Sequence, residues 1–199
     1  GVKQNKGLSF LHEFGTAGGV LGSSNFGNLP TFNHQDCSFE GAERITGQEL
    51  ARIAGKGTRS CYACAVSCKR VFEGRSGRFE VSSTYGGPEY ESIASLGSQL
   101  GLDDAVAVAR ANELCNAYGL DTISTGVTIA WAIECFERKL LTPADTGGLE
   151  LRWNDPDMVL RLIEMIARRQ GFGQTLGEGC RRAAEATGRG TGRYAMHVK

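Results

Sequence analysis

Three cysteines lie within eight residues of one another, in the segment 61–68, which reads CYACAVSC. A C-x2-C-x3-C spacing lets thiolates converge on one soft metal centre, and a cubane iron–sulfur cluster takes four such ligands. The spacing therefore favours a cluster held by Cys61, Cys64 and Cys68, with a fourth ligand supplied from elsewhere. Directly after the motif, Lys69 and Arg70 add positive charge that would favour the reduced, more negative state of the cluster.

A structural zinc site is the alternative use of these cysteines. Zinc commonly takes four ligands as two separated pairs, and the chain has no second C-x2-C. His34 or Cys37 would have to complete such a site. Radical enzymes that use S-adenosylmethionine more usually carry the reverse order, C-x3-C-x2-C, so the spacing argues against that class. His12, His34 and His197 are isolated, and we expect them to be surface or packing residues.

A second segment, residues 86–91 (GGPEYE), places two carboxylates directly after two glycines and a proline. Carboxylates at the start of a helix are stabilised by the helix dipole, which alone would explain Glu89 and Glu91. The functional interpretation is that the glycines let the backbone approach a ligand while Glu89 or Glu91 acts as an acid or base.

A third segment, residues 116–124 (NAYGLDTIS), predicts a turn between two helices. Gly119 suits the position after the first helix, and Asp121 or Ser124 suits the cap of the second. This structural interpretation explains every residue. Asn116 and Asp121 nevertheless flank the glycine, and together they could offer amide and carboxylate partners to a heterocycle with adjacent N–H donors.

The elements that must position these residues are mostly helical. After Pro88, which suits the first position of a helix, apolar periodicity predicts helices to the end of the chain. Their expected ranges are 103–118, 122–138, 155–171 and 174–187. The fold class is therefore mainly α and multihelical.

The first third of the chain is Gly-rich and irregular, with a short helix expected near 8–23. Thr46 predicts the cap of a second short helix that ends at Ala54. Residues 70–72 and 78–81 flank a Gly-containing turn and predict one short β-hairpin near 70–82.

Composition narrows the class of protein. The chain has 22 Lys and Arg residues and 22 Asp and Glu residues, so its formal net charge is zero. A nucleic-acid binder would normally have an excess of basic residues, so this balance argues against that class. Apolar runs are too short for a membrane span, and no signal-peptide core follows the first residues. Seven cysteines do not suit a disulfide scaffold, so a cytoplasmic location is predicted. The cysteines outside the motif are expected to be small buried residues: Cys37, Cys115, Cys135 and Cys180.

Taken in order, these segments resemble the tungsten-containing aldehyde ferredoxin oxidoreductase family. The resemblance extends over nearly the whole chain, from about residue 8. Besides the cysteine run, it rests on segments 87–91 (GPEYE), 111–116 (ANELCN), 119–126 (GLDTISTG), 177–179 (GEG) and 194–199 (YAMHVK).

The resemblance implies an anaerobic enzyme that oxidises aldehydes to carboxylic acids and passes the electrons to ferredoxin. It implies tungsten, or molybdenum, held by two pterins beside a [4Fe-4S] cluster. It implies cluster ligation by Cys61, Cys64 and Cys68 and proton handling near the metal by Glu89 or Glu91. Four residues align with the family's D-x-x-G-L-(C/D) pterin-binding motif: Asn116, Gly119, Leu120 and Asp121. Because Asn116 replaces an Asp of that pattern, one charge is lost there.

By the same resemblance, the chain is expected to be a piece of a longer or multi-chain enzyme. Family members begin with a β-rich domain that carries much of the pterin, and their fourth cluster cysteine lies beyond the position of Lys199. Residues 1–87 are expected to bind the cluster and residues 88–199 the pterin, and the piece by itself is expected to be inactive. A homo-oligomer is possible under this resemblance.

Three alternatives stay open from the sequence. One is a benzoyl-CoA-reducing catalytic subunit of the same family. Another is a non-catalytic iron–sulfur module for electron transfer. The third is a helical domain that binds nothing.

Overall fold

The computed structural model describes residues 1–197 and is mainly α-helical, as predicted. Val198 and Lys199, which end the segment 194–199, lie outside the described residues. The helices are α1 (Lys6–Phe14), α2 (Val20–Asn25), α3 (Gly47–Ala54), α4 (Tyr90–Leu96), α5 (Ala105–Tyr118), α6 (Thr122–Glu137), α7 (Pro156–Arg168), α8 (Phe172–Leu176) and α9 (Cys180–Thr187). The strands are β1 (Gly55–Arg59), β2 (Lys69–Phe72), β3 (Gly74–Ser76) and β4 (Phe79–Val81).

The strands form two separate antiparallel pairs, β1 with β2 and β3 with β4. The β3–β4 pair is the short hairpin predicted near 70–82. The expected pairing of residues 70–72 with 78–81 is wrong, because β2 pairs with β1. The residues of β1 (GKGTR) have little intrinsic strand propensity. From the sequence, the glycines of this segment therefore indicate the end of α3 but not the strand that follows it. The β1–β2 pair encloses residues 60–68, which contain the cysteine motif.

The irregular first third is organised by caps and turns. Thr46 caps α3 by accepting a hydrogen bond from the Glu49 amide at 3.0 Å, as predicted. The predicted helix near 8–23 is divided into α1, a 3-10 turn at Thr16–Gly19, and α2. Cys37 is exposed, so the expectation that it is a small buried residue is wrong. It lies just after an isolated bridge between Thr31 and Asp36, within an exposed stretch at residues 34–38.

Helices α5 and α6 begin and end close to the predicted positions. Asp104 caps α5 by accepting from the amides of Val106 and Ala107 at 2.9 and 3.0 Å. Gly119 takes the left-handed conformation after α5, with φ 69°, which glycine adopts without steric cost. Pro88 differs from expectation: α4 begins at Tyr90 with Glu89 as its N-cap, so Pro88 precedes the helix.

Helix α6 is buried around most of its circumference, as its composition predicts. Ile129, Trp131 and Ile133 are almost completely inaccessible. At Gly126 the helix touches α4 backbone to backbone, because a Cβ there would lie 2.3 Å from the Ser95 carbonyl oxygen. Contact this close fixes α4 against the first turns of α6.

The last helices pack on the same apolar core. Asp155 caps α7 and Pro156 takes its first position, so the helix begins where the predicted range 155–171 begins. Helix α7 ends before Gly171, because Arg169 already has a left-handed backbone with φ 54°. The helix expected at 174–187 is interrupted at 177–179 and forms α8 and α9. That core includes Phe72 from residues 1–87 and Ile93 from residues 88–199. The predicted division of the chain into these two parts stays a prediction.

Within the part of the chain described, no helix combines the length and apolar character needed to cross a bilayer.

Candidate cluster and cofactor site

The cysteine motif forms the loop between β1 and β2, with Arg59 opposite Lys69 at its base. Cys61 and Cys64 are exposed, and Cys68 is half-buried at the entry to β2. The backbone is tightly turned, with Ala63 and Ser67 both at φ 54°. A loop of this kind presents its thiols outward, where a cofactor or another polypeptide can reach them.

The loop also favours the ligating form of one thiol. Backbone N–H groups of Ser67 and Val66 donate to the Cys64 sulfur and lower the pKa of that thiol. Because the thiolate is the metal ligand, N–H groups aimed at sulfur fit a cluster site, where such bonds also tune the reduction potential. The thiols share a loop but do not meet at a point: residues 1–197 contain no group of three or more His, Cys, Asp or Glu side chains arranged around one metal ion.

Helix α1 packs its C-terminal end directly on the cysteine loop. His12 Nδ1 donates to the Val66 carbonyl oxygen at 2.6 Å. In return, Arg70 Nη1 donates to the His12 carbonyl oxygen at 3.1 Å. Gly15 is required at this contact, since it has φ 67° and a Cβ there would lie 2.9 Å from the Cys68 carbonyl oxygen.

These contacts change the interpretation of two residues. His12 is not merely a surface or packing histidine, because it holds the cysteine loop. Arg70 is more than a positive charge near the motif, because its side chain donates a hydrogen bond to the backbone of α1. Neither link has a signal in the sequence: His12 and Val66 are 54 positions apart, and an isolated histidine shows no spacing pattern.

Residues 86–91 contact β2 through Gly87. The Gly87 amide donates to the Arg70 carbonyl oxygen at 2.9 Å. A Cβ at Gly87 would lie only 1.9 Å from the Phe72 ring, so glycine is needed for this approach. The sequence predicts that these glycines let the backbone approach a ligand, whereas at Gly87 the close approach is to the protein's own strand β2.

Glu89 and Glu91 have different surroundings. The Glu89 carboxylate is half-buried and accepts a hydrogen bond from the Thr16 hydroxyl. The same hydroxyl oxygen accepts from the Tyr90 amide at 2.9 Å. Glu91 is exposed on the first turn of α4. Thr16 thus ties the start of α4 to the end of α1, and the sequence gives no indication of it.

The turn between α5 and α6 contains the remaining candidate residues. Asn116 is exposed, and its amide nitrogen donates to the Asn112 carbonyl oxygen at 2.8 Å. The Asp121 carboxylate caps α6 by accepting from the Ser124 amide at 2.6 Å. Leu120 packs against the core, and its amide donates to the Cys115 carbonyl oxygen at 2.8 Å.

Helix α4 brings the turn and the carboxylates to one region. The Ser92 hydroxyl in α4 lies 2.8 Å from the Thr122 hydroxyl, which directly follows Asp121. The cysteine loop is linked to the same helix by two routes. One passes through α1 and Thr16, and the other passes through β2 and the Gly87 amide. The three segments singled out in the sequence are therefore connected.

His34 and Cys37, which would have completed a zinc site, belong to the turn near 31–37. His34 Nε2 lies 3.3 Å from the side-chain nitrogen of Gln99, and burial lowers the pKa of His34.

Comparison with known proteins matches the whole chain to one family. The family described as "Aldehyde ferredoxin oxidoreductase, domains 2 & 3" matches residues 1–199. The "Tungsten-containing aldehyde ferredoxin oxidoreductase" of Pyrococcus furiosus is 36% identical over 89% of this chain and 29% of its own length. The protein of the same name from Thermococcus kodakarensis is 37% identical over 95% of this chain and 30% of its own length. The chain thus spans less than a third of these relatives.

One solved structure has a similar fold. It is titled "Active site complex BamBC of Benzoyl Coenzyme A reductase in complex with 1,5 Dienoyl-CoA" and superposes with a TM-score of 0.63. The match covers 85% of this chain and 25% of the other, at 20% sequence identity. At that identity the likeness concerns the fold alone.

Proposed function

Because the chain belongs to the aldehyde ferredoxin oxidoreductase family, we propose that it is the part of an aldehyde-oxidising enzyme that ligates a [4Fe-4S] cluster and contacts a tungsten-pterin cofactor. Aldehyde as substrate and ferredoxin as electron acceptor are proposed from the names of the relatives. Since the chain covers less than a third of their length, the rest of the active site would come from other parts of the enzyme.

One observation carries the proposal: three thiols lie on one outward-facing loop that is linked through α1 and β2 to the start of α4. Cys61, Cys64 and Cys68 would hold the cluster as thiolates, and the N–H groups at the Cys64 sulfur favour that form. The fourth ligand would come from outside residues 1–197.

A tungsten (or molybdenum) bis-pterin would supply the two-electron chemistry when bound, and a [4Fe-4S] cluster would pass electrons on singly. The protein's contribution is to orient these groups and tune their environment. Asn116 could offer its side-chain oxygen to the pterin while its amide nitrogen stays on the Asn112 carbonyl oxygen. Gly119 and Leu120 would present backbone at the turn, and Asp121 would add a carboxylate.

The two glutamates would divide the remaining work. Glu89 is held by the Thr16 hydroxyl and would act as a fixed proton acceptor. Glu91 is exposed on the first turn of α4 and would move a proton between the site and water.

The test is metal analysis and assay of the full-length protein purified without oxygen. We expect iron together with tungsten or molybdenum, and aldehyde-dependent reduction of ferredoxin. Glu89→Gln and Glu91→Gln should each lower kcat and remove one limb of the pH profile. Protein that contains no tungsten, molybdenum or iron would contradict the proposal.

The same preparation separates the alternatives. Iron without pterin would support a non-catalytic electron-transfer module. Reduction of benzoyl-CoA in place of aldehyde oxidation would support a reductase. A cytoplasmic location and a homo-oligomer are proposed with the enzyme, and cell fractionation and light scattering would test them.

A further inference from the structure

The two cations that follow the last cysteine of the motif have different environments. Lys69 is exposed, and its side chain passes over the left-handed turn at Gly86, where a Cβ would lie 3.0 Å from Lys69 Cε. Arg70 is half-buried, and its side chain passes over Gly15, where a Cβ would lie 3.1 Å from Arg70 Cγ. Both glycines keep space for a cation beside the cysteine loop, but only Arg70 is withdrawn from water.

The Arg70 guanidinium is incompletely satisfied. Nη1 donates to the His12 carbonyl oxygen, whereas Nε is buried and has no hydrogen-bond partner among the described residues. Leaving a buried donor unpaired is unfavourable, and more so for a charged group, because its lost hydration is not replaced. The Arg70 side chain passes the same point of Gly15 as the Cys68 carbonyl oxygen, so this unsatisfied donor belongs to a side chain beside the last cysteine of the motif.

The position of Arg70 relative to the motif supports this interpretation. Arg70 is two residues beyond Cys68, and residues two apart in extended chain lie on the same face. His12 holds the loop at Val66 while the His12 carbonyl holds Arg70, so one residue of α1 sets both the loop and the cation. Glu13, which lies next to His12 and is exposed, is the carboxylate whose attraction acts on Arg70.

We propose that Arg70 is a positioning residue that tunes the cluster: its buried Nε–H donates to a sulfur of the bound cluster or its ligands, and its desolvated charge stabilises the reduced state. This rests on the proposed function, because it presupposes a cluster on Cys61, Cys64 and Cys68. A charge withdrawn from water acts more strongly than an exposed one. Lys69 carries the same charge at nearly the same distance along the chain, and its effect is weakened by solvent.

The physical consequence is a difference in reduction potential between matched variants. The reduced cluster carries one more negative charge, so removing a nearby cation makes reduction harder. At the wild-type midpoint potential, Arg70→Gln should lower the ratio of reduced to oxidised cluster about tenfold. For a one-electron couple that ratio corresponds to about 59 mV. Lys69→Gln should change the same ratio less than about twofold, since its charge is exposed.

The experiment is a redox titration of the full-length protein followed by electron paramagnetic resonance, with iron content measured in parallel. Arg70→Lys keeps the charge but lacks the planar Nε donor, so we expect an intermediate decrease, about threefold. This variant also decides the question if Arg70→Gln does not fold. Equal shifts for Arg70→Gln and Lys69→Gln would overturn the proposal, as would an Arg70→Lys variant indistinguishable from wild type.

Iron content separates this inference from the function on which it rests. Wild-type protein without iron or a cluster signal would contradict the proposed function itself. Protein with full iron and a normal signal, but with no difference between the Arg70 and Lys69 variants, would contradict only the role of Arg70.

Discussion

The cysteines of the β1–β2 loop and those of the helices are the same residue in opposite environments. Cys61 and Cys64 are exposed, and backbone N–H groups lower the pKa of Cys64. Burial raises the pKa of Cys115, Cys135 and Cys180 to about 12. The helical thiols are therefore packing groups that stay protonated, and the loop thiols are available as ligands.

The difference extends to how each region is held. The loop depends on a few long-range hydrogen bonds from α1, whereas the helices are held by continuous apolar packing and backbone contacts such as that at Gly126. A change in the loop should remove ligation while leaving the fold intact. A change in the helices should cost stability while leaving ligation intact.

The largest expected effect is loss of the cluster. Cys68→Ala in the full-length protein should remove nearly all iron, because two local thiolates remain where the cluster requires more ligands. Cys180→Ala is the matched control: it removes a buried sulfur, should cost about 1 kcal/mol of stability, and should keep the iron. Iron analysis with thermal unfolding measures both. Equal iron loss in the two variants would break the distinction between the regions.

Thiol reactivity should differ next most strongly. In metal-free protein at pH 8, Cys64 should react with iodoacetamide at least about a hundredfold faster than the helical cysteines, since only the thiolate attacks. Peptide mapping by mass spectrometry would give each rate. The alkylation rate of Cys64 should begin to rise at a lower pH than that of a thiol whose pKa is not shifted.

The raised pKa values of the helical thiols also predict alkaline destabilisation. Their folded-state pKa, about 12, lies above the unfolded reference of 9.0. The stability they contribute is complete below pH 9 and is lost as pH rises from about 9 toward 12. Denaturant titrations across that range should show the decrease, and Cys135→Ala should make it shallower. A decrease of unchanged slope in Cys135→Ala would mean that other groups cause it.

In the helical region, Gly126→Ala should reduce stability by about 3 kcal/mol, because the new Cβ would meet the α4 backbone. Gly22→Ala in α2 is the control, since a Cβ there meets nothing within 4 Å. Chemical denaturation would measure the difference. A tolerated Gly126→Ala would mean that α4 and α6 can separate, and that the carboxylates are less firmly placed than the packing indicates.

The smallest expected effect lies at the junction of the two regions. Thr16→Val removes the hydroxyl that joins Glu89 to the Tyr90 amide, and should cost about 1 kcal/mol. Thr16→Ser keeps the hydroxyl and should restore most of that stability. If Thr16→Val, which keeps the methyl group, is as stable as wild type, the two hydrogen bonds contribute nothing measurable.

Much of the helical region could be predicted because its signals are local. Asp104, Gly119 and Asp155 each act within a turn of their own position, through caps and left-handed conformations that short segments specify. The break between α8 and α9 was missed because Gly177 and Gly179 lie within otherwise helical periodicity. Strand pairing was missed because β1 has weak propensity and its partner follows a long loop.

The sequence by itself determined the chemical groups: the cysteine spacing, the paired glutamates, the glycine turn at 119 and the order of segments that indicates the family. Tertiary structure alone decided which groups meet. The contacts of His12 with Val66, Thr16 with Glu89, and Arg70 with α1 join residues 54 to 73 positions apart. Such contacts depend on how whole elements pack, because side-chain hydrogen bonds at that separation leave no periodicity or local propensity in the chain.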